Sequence, residues 1–292
     1  MKNFKSIVIK FIAIIAVITG LLSCNSEHDF APFENSVGED VAKLKYIHTA
    51  IGPLGVNFST NVFLNDVKTT SVGVTSGLPL GLSYGSIFPI ASNYALIKAG
   101  TQSMRITIPE RLNGALPNIP ASDVLTTPLE TNRGLNYSSF LVGVSPNYSV
   151  MTVRDNLAIT NVNDSQTYIR FFNFISNTPA GGYDLAIVRT TPATPTTPQT
   201  VATIKTFSSV PYLGGSNVFE GVMPIPVSQN APDVLQLRLA GTATVVATLS
   251  TGFVPRPGRI YTILARGFVG GLSNGSPSAT VNIPVVAFHV NL

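Results

Sequence analysis

The chain has 292 residues, of which 45% are hydrophobic and only 11% are charged. This balance excludes an intrinsically disordered chain, and the length is sufficient for two domains of ordinary size. The formal net charge is +4, but without three lysines of an N-terminal segment that we expect to be cleaved, 15 basic residues face 14 acidic ones. A protein so close to neutrality offers no electrostatic surface to nucleic acid, so we expect no partner of that class.

The first residues have the layout of a secretory signal. Three lysines precede an apolar run over residues 11–22, and Ser23 and Cys24 follow that run. A basic start, a short apolar stretch and a small residue before the cleavage point are typical of an exported protein, and the run is too short to span a membrane as a helix. Residues 1–23 are therefore predicted to be a cleaved signal peptide.

Leu21-Leu22-Ser23-Cys24 resembles the lipobox of bacterial lipoproteins, and Cys24 is the only cysteine of the chain. The resemblance implies that Cys24 carries the lipid that anchors the protein to the cell envelope, and we expect the outer membrane, on its periplasmic or cell-surface face. The alternative is an ordinary signal peptide with a spare cysteine. Residues 24–40 are polar, which predicts a flexible tether.

Residues 41–158 are predicted to form a first β-sandwich. Apolar and polar residues alternate from residue 43 to 50, and Asn65-Asp66 is typical of a hairpin turn. Residues 93–108 predict a strand pair, whereas the proline-rich residues 109–122 predict a loop.

Gly81-Leu82-Ser83-Tyr84-Gly85 matches the Gly-x-Ser-x-Gly pattern of a nucleophile elbow. That pattern supports catalysis only between a strand and a helix, and prolines stand on both sides of it here. A glycine-rich turn is the preferred interpretation of the segment. A hydrolase using Ser83 stays open as an alternative, with His289 as the only histidine downstream.

The same ten-residue pattern occurs twice, 124 residues apart. Gly134, Tyr137 and Gly143 are repeated as Gly258, Tyr261 and Gly267, and each tyrosine is followed by Ser or Thr. Each copy predicts a tight turn that enters a strand, because glycine adopts the positive φ that such a turn requires. A tyrosine just after that turn resembles the tyrosine corner of immunoglobulin-like sandwiches, whose hydroxyl bonds upstream backbone. A ligand-contacting tyrosine is the alternative.

The link between the two copies is rich in carboxylate and carboxamide side chains. Asp155, Asn161, Asn163 and Asp164 are weak candidates for calcium, which prefers oxygen ligands, although turn-forming residues explain them as well. The three histidines, His28, His48 and His289, are not spaced for zinc. We therefore predict no firm metal site and no cofactor.

After a linker at 159–166, residues 167–292 are predicted to form the second sandwich. Ile169-Arg170-Phe171-Phe172-Asn173 repeats the pattern of Leu44-Lys45-Tyr46-Ile47-His48 at an offset of 125. Residues 190–200 are rich in Thr and Pro, which predicts a hairpin tip outside the sheet.

Two halves that begin with this strand and end with Gly-x-x-Tyr-[Ser/Thr]-x4-Gly resemble the bacterial domain of unknown function 4397, a family found in envelope lipoproteins. The resemblance covers residues 41–292 and implies a secreted or lipid-anchored β-sandwich without established catalysis. It supplies no functional residues.

The fold class predicted from these observations is all-β, with two tandem Ig-like (Greek-key) sandwiches after a lipoprotein signal peptide. The leading functional prediction is a non-enzymatic module that binds another envelope protein or an extracellular polymer, or that has a structural role. The first alternative is a surface lipoprotein that binds glycans or promotes adhesion and works with an uptake or attachment system. The second is the Ser83 hydrolase. Exposed aromatic side chains would favour glycan binding, although the chain has no Trp.

Overall fold

The computed structural model describes residues 40–70, 74–75, 78–79, 81–113, 116–157, 165–193, 196, 198–225 and 231–292. The predicted signal peptide, the lipidation site Cys24 and residues 24–39 of the tether lie outside these ranges. So do residues 159–164 of the predicted linker. Residues Asp40–Leu292 belong to one compact unit.

The described part of this unit is built from strands, one 3₁₀ turn at Pro53–Gly55 and loops, with no α-helix. The strands before residue 158 are β1 (Val41–His48), β2 (Ser59–Leu64), β3 (Val67–Lys68), β4 (Val74–Thr75), β5 (Leu78–Pro79), β6 (Leu82–Ser83), β7 (Ile87–Phe88), β8 (Ala95–Lys98), β9 (Gly100–Ile108), β10 (Arg111–Asn113), β11 (Leu116–Ile119), β12 (Ser122–Thr131), β13 (Asn136–Val144) and β14 (Asn147–Asp155). The strands after residue 164 are β15 (Thr167–Asn173), β16 (Tyr183–Thr191), β17 (Thr200–Val210), β18 (Glu220–Val222), β19 (Val234–Leu239), β20 (Val245–Leu249), β21 (Ile260–Arg266) and β22 (Val285–Val290).

Each half of the chain forms a sandwich of two sheets. The first half has a sheet of order β8-β1-β13-β14 and a sheet of order β3-β2-β9-β12, with β7 and β6 pairing to β1 and β2. The second half has sheets of order β18-β15-β21-β22 and β17-β16-β19-β20. The order of strands in each sheet of the first half is therefore the same as in the corresponding sheet of the second half, with β1 corresponding to β15 and β2 to β16. We call the sheet of β1 and the sheet of β15 the inner sheets, because they face each other.

The two inner sheets also share their register. Leu44 lies opposite Tyr137 in the parallel pair of β1 and β13, and Ile169 lies opposite Tyr261 in the parallel pair of β15 and β21. The offsets of 125 and 124 residues in the sequence are therefore structural equivalences. The fold is all-β with Greek-key sandwiches, as predicted. The second half divides its strands four and four, and β7 and β6 add a fifth strand to each sheet of the first half. A constant-type immunoglobulin domain divides seven strands into four and three.

Each sandwich has its own apolar core. The first is formed by residues such as Leu44, Val62 and Met104, and the second by residues such as Ile169, Leu185 and Leu235. Burial of these aliphatic and aromatic side chains is the main force that stabilises the two sandwiches. A third apolar cluster joins residues of both halves and lies between the inner sheets.

The repeated pattern forms the turn and strand that it predicts. Gly134 and Gly258 have φ of +73° and +68°, and the N–H groups of Leu135 and Arg259 donate to the carbonyls three residues before them. The Tyr137 hydroxyl accepts a hydrogen bond from the Asn132 N–H at 2.9 Å, which is the contact of a tyrosine corner. The Tyr261 hydroxyl also contacts its own upstream backbone, at Arg256 and Val254, but at the longer distance of 3.4 Å.

Two local predictions are wrong, and a third, the hairpin tip at residues 190–200, is confirmed except at its edges. Residues 109–122 contain the hairpin of β10 and β11 rather than only a loop. Residues 93–108 do not form a strand pair, because β8 joins the inner sheet and β9 joins the other sheet. At the hairpin tip, Thr191 and Thr200 still pair with each other, so β16 and β17 extend further than predicted. The predicted turn at Asn65-Asp66 is confirmed, since both residues have positive φ between β2 and β3.

Candidate functional site

The inner sheets meet along an apolar seam. The Phe140 ring on β13 lies 5.5 Å from the Phe172 ring and 4.8 Å from the Phe174 ring of the other half. Ile47 and Leu264 complete the same cluster. Aromatic rings in this range of separations attract one another beyond the burial of their area. The seam therefore holds the two sandwiches together.

Two cations lie beside this seam, one from each half. Lys45 precedes Ile47 by two residues, and Arg170 precedes Phe172 by two, so each cation projects from the same face of its strand as the seam residue. Both side chains are fully buried, at 0% exposure. Their in-register neighbours across the parallel pairs are Ser138 and Thr262. Lys45 and Arg170 are thus equivalent residues that point into the junction.

Asp155 at the end of β14 is the carboxylate that balances this charge. It is 2% exposed and forms an ion pair with the Nη2 of Arg170. The hydroxyls of Ser138 and Tyr94 also donate to its Oδ2, at 2.6 and 2.7 Å. Buried charges persist in proteins when they are paired and hydrogen-bonded, and Asp155 has both kinds of partner. This cluster links the last strand of the first half to the first strand of the second.

The reciprocal contact is made by Lys45. Its Nζ donates to the carbonyl of Val290 in the second half at 3.0 Å and to the carbonyl of Ala91 at 2.5 Å. Burial lowers the pKa of Lys45 to about 8, although the nearby Asp155 acts in the opposite direction. The buried cation of each half therefore contacts the end of the other half's last strand.

Asn291 occupies the place in the second half that Asp155 occupies in the first. The Thr262 hydroxyl donates to Asn291 Oδ1 at 2.7 Å, as Ser138 donates to Asp155. Asn291 Nδ2 donates in turn to the Tyr94 hydroxyl at 2.9 Å. Burial is the main reason why the pKa of Tyr94 is strongly raised, and its proximity to Asp155 adds to that effect. Tyr94 therefore stays protonated and connects the two strand ends.

His289 lies in the same cross-strand row as Arg170 and Thr262. Among the described residues, neither of its ring nitrogens has a hydrogen-bond partner, and Arg170 Nη1 has none either. Burial, together with the charges of Lys45 and Arg170, holds the pKa of His289 well below its ordinary value. The imidazole is therefore neutral at pH 7.

A smaller polar cluster lies at the other end of the strands. The guanidinium of Arg266 on β21 stacks 4.4 Å from the Tyr84 ring of the first half. His48 lies against that tyrosine at 6.0 Å, and its Nε2 contacts the Phe58 carbonyl at 2.9 Å. Burial lowers the pKa of His48 to about 4. This cluster adds a second cross-half contact to the junction.

A solvent-open cleft of about 350 Å³ lies beside the Asp155 cluster. It is lined by residues of both halves, among them Lys43, Asn93, Tyr94, Asn136, Leu157 and Asn291. Pockets of this kind occur preferentially between domains, where two rigid surfaces diverge. The cleft is the site in the described structure that is best placed for a ligand shared by both sandwiches.

Those predicted catalytic or metal-binding residues that the structure describes are not assembled into such a site. Ser83 is exposed at the end of β6, which leads through a turn into strand β7 rather than into a helix. His289 is buried, and neither of its ring nitrogens bonds any other residue in the described ranges, Ser83 included. Asp155 is occupied by Arg170, and the other calcium candidates, Asn161, Asn163 and Asp164, lie outside the described residues. Within the described ranges, no three His, Cys, Asp or Glu residues are grouped for a metal ion.

Sequence reasoning missed the roles of Lys45, Arg170 and Asp155. A signal was present, because a cation stands at the same place in both repeats between apolar neighbours of a buried strand. Charged residues are rarely buried unless they are paired, so this coincidence predicts a shared structural role. The partner Asp155 was assigned only as a calcium candidate.

Two surface properties bear on binding. No aromatic side chain of the described residues is exposed, so a rim of rings for stacking sugars is missing from this part of the chain. The described residues also contain no helix that is both apolar and long enough to span a bilayer.

No protein-family model matches the sequence, and the search of curated proteins found no relative. Among solved structures, the fimbrial anchor protein Mfa2 from Porphyromonas gingivalis is similar at a TM-score of 0.25 and 7% identity, over 86% of this chain and 97% of that one. A "putative cell adhesion protein" from Bacteroides fragilis is similar at a TM-score of 0.22 and 12% identity, over 85% and 97%. A protein of the same description from Parabacteroides distasonis follows at 0.20 and 9%, over 87% and 99%. Likenesses of this strength support no inference about what the chain does.

Proposed function

We propose that the chain is a non-enzymatic, lipid-anchored protein of the cell envelope, whose two sandwiches form one rigid binding or structural module. The observation that carries this proposal is the reciprocal burial of Lys45 and Arg170 across the junction. Two domains that merely follow each other on a chain meet through modest, polar interfaces and move relative to each other. Here the junction has an apolar seam and a buried ion pair, which fixes one relative orientation.

The lipid anchor in this proposal rests on Leu21-Leu22-Ser23-Cys24 and on the signal-like residues before it. Acyl chains on Cys24 would hold the rigid unit near the membrane through the polar residues 25–40. We place the protein at the outer membrane, and its partner would be another envelope protein or an extracellular polymer. Membership in the domain of unknown function 4397 family is part of the same proposal.

The absence of catalysis is supported by what the reactive groups do. Ser83 lies in no strand-to-helix elbow. In the junction, Arg170 binds Asp155 and Lys45 binds the Val290 carbonyl, so neither cation faces a substrate. A hydrolase needs a nucleophile within hydrogen-bonding reach of its base. The described residues offer no such pair that involves Ser83.

Glycan binding is the second candidate function, and the cleft between the sandwiches is the observation that favours it. Because the described residues expose no aromatic ring, recognition of a sugar there would depend on the polar side chains of that cleft.

Metabolic labelling with an alkyne-tagged fatty acid tests the anchor directly. The wild-type chain should be labelled and recovered with membranes, and the Cys24→Ser variant should remain unlabelled. Equal labelling of both chains, or none of either, would contradict the lipid anchor. Treatment with phenylmethylsulfonyl fluoride tests the enzymatic alternative, because a covalent adduct on Ser83 would show a reactive nucleophile.

A further inference from the structure

The cleft beside the junction lies on the inner sheet of the first half, where the second sandwich no longer covers it. Lys43 lies in register with Leu96 on one side and Asn136 on the other, and Asn136 lies in register with Asp155. Side chains of in-register residues project from the same face of a sheet. The row therefore runs from the buried Asp155 cluster out to the exposed Lys43.

Four polar side chains of this cleft are free of bonds within the described part of the fold. The side chains of Lys43, Ser92, Asn93 and Asn136 make no hydrogen bond or ion pair with other described residues. An ammonium offers three donors, and each carboxamide offers both donors and an acceptor. Such a set is complementary to a ligand that has a carboxylate and several hydroxyl groups.

The wall of the cleft is preorganised. Tyr94 and Asn291 line it, and each is held by the Asp155 network through hydrogen bonds of 2.7 to 2.9 Å. Lys45 lies behind the Tyr94 ring, with its Nζ 4.8 Å from the ring centroid. Rigid walls lower the entropic cost of binding, because the Tyr94 and Asn291 side chains need not be ordered by the ligand.

The charge and size of the cleft narrow the class of ligand. Lys43 carries the one charged side chain among the described lining residues, which also include Leu292 with its main-chain carboxylate. The acidic Asp155 lies behind the wall and is paired with Arg170. A volume of about 350 Å³ is near the small end of ligand sites, which suits one sugar unit rather than a folded partner. Leu96 and Leu157 offer apolar contact for the C–H face of a sugar ring.

We propose that this cleft binds a uronic acid unit, with its carboxylate at Lys43 and its hydroxyl groups at Asn93 and Asn136. The inference deepens the proposed binding function by naming a ligand class and a site. A terminal or internal unit of an acidic polysaccharide is compatible with a cleft that is open to solvent.

Isothermal titration of the full chain, purified in detergent, with glucuronate and galacturonate tests the assignment. At least one of the two should bind, and Lys43→Gln should weaken that binding more than about tenfold, because a charge-assisted hydrogen bond is lost. Lys98→Gln is the matched control, because Lys98 is exposed on the same sheet but lies outside the cleft lining. The Lys98→Gln variant should bind the uronate with the wild-type affinity.

Glucose and acetate serve as the comparison ligands. Both should bind at least about tenfold more weakly than the preferred uronate, because glucose lacks the carboxylate and acetate lacks the hydroxyl groups. Absence of uronate binding by the wild type, equal affinity of folded Lys43→Gln, or equal affinity for acetate would overturn the assignment. If the chain is fatty-acylated at Cys24 but binds no uronate, the proposed lipid anchor stands and the proposed uronate site is rejected.

Discussion

Lys45 and Arg170 occupy the same position in the two sandwiches, and both cations are completely buried in the junction between them. Each reaches the end of the other half's last strand, Lys45 at the carbonyl of Val290 and Arg170 at the carboxylate of Asp155. The symmetry is broken because the second half has Asn291 where the first has Asp155. A repeated sandwich has thus been joined to its copy by one shared carboxylate.

Such a buried pair is weak evidence for extra stability, because desolvation of two charges offsets most of their attraction. Its better attested effect is to specify one arrangement, since any other docking of the sheets would leave the charges unpaired. The apolar seam of Phe140, Phe172 and Leu264 supplies the attraction, and the polar cluster selects the orientation.

Asp155→Ala should destabilise the protein strongly. The substitution leaves the Arg170 guanidinium buried without a counter-charge, which costs about 3–5 kcal/mol of unfolding free energy. Urea titration followed by circular dichroism measures the change. Asp123→Ala is the matched control, because Asp123 is 67% exposed in its pair with Arg105 and should cost less than about 1 kcal/mol. Similar losses in the two variants would contradict the structural role of the pair.

His289→Val should remove part of the acid sensitivity of the fold. The pKa of His289 is depressed in the folded state, so the unfolded chain binds more protons as the pH falls below about 6.5, and stability falls with it. Valine cannot titrate, and Val153 is the equivalent residue in the first half. Unfolding midpoints from pH 7 to pH 4 should therefore fall less steeply in the variant. An unchanged slope would show that His289 does not contribute, and that His48, with a pKa of about 4, dominates instead.

Tyr137→Phe should cost about 1 kcal/mol, because the Asn132 N–H loses its acceptor. Tyr261→Phe should cost less, since its hydroxyl makes longer contacts of 3.4 Å. Thermal denaturation of the two variants gives the order. Tyr212→Phe serves as the control, because the half-buried Tyr212 makes no hydrogen bond through its hydroxyl to other described residues. Melting temperatures equal to that of the wild type would remove the tyrosine corner from the account.

Gly143→Ala should be far more destabilising than Gly134→Ala, although both glycines have positive φ, at +103° and +73°. A Cβ on Gly143 would overlap the carbonyl oxygen of Asn147 in the neighbouring strand, whereas a Cβ on Gly134 meets open space. The cost at Gly134 is then only that of the backbone conformation, about 1 kcal/mol. Equal losses in a denaturant titration would mean that strand pairing at Gly143 relaxes freely.

The fold was predictable where local chemistry determines it. Glycine at positive φ and the tyrosine after it are sufficient to identify the turns at Gly134 and Gly258, and the constant spacing reveals the repeat. Strand β12 was missed because it is mostly exposed and contains Pro128, which an edge strand tolerates. The separation of β8 from β9 depends on which sheet each strand joins, and tertiary contacts rather than the local sequence determine that.

The site was less predictable than the fold. The sequence shows that Lys45 and Arg170 are equivalent, but it does not show that two inner sheets pack face to face and enclose them. The density of carboxylates and carboxamides near Asp155 suggested a cation site, whereas the structure gives that carboxylate a guanidinium partner. Long-range partners of this kind depend on how whole sheets dock, and no local pattern encodes that.

Differential scanning calorimetry of the full chain tests most directly whether the two sandwiches are one rigid unit. The account predicts a single transition whose calorimetric and van't Hoff enthalpies agree, and a shift of that whole transition in Asp155→Ala. Two resolved transitions in the wild type, with only one of them moved by Asp155→Ala, would show that the sandwiches unfold independently and would contradict the account.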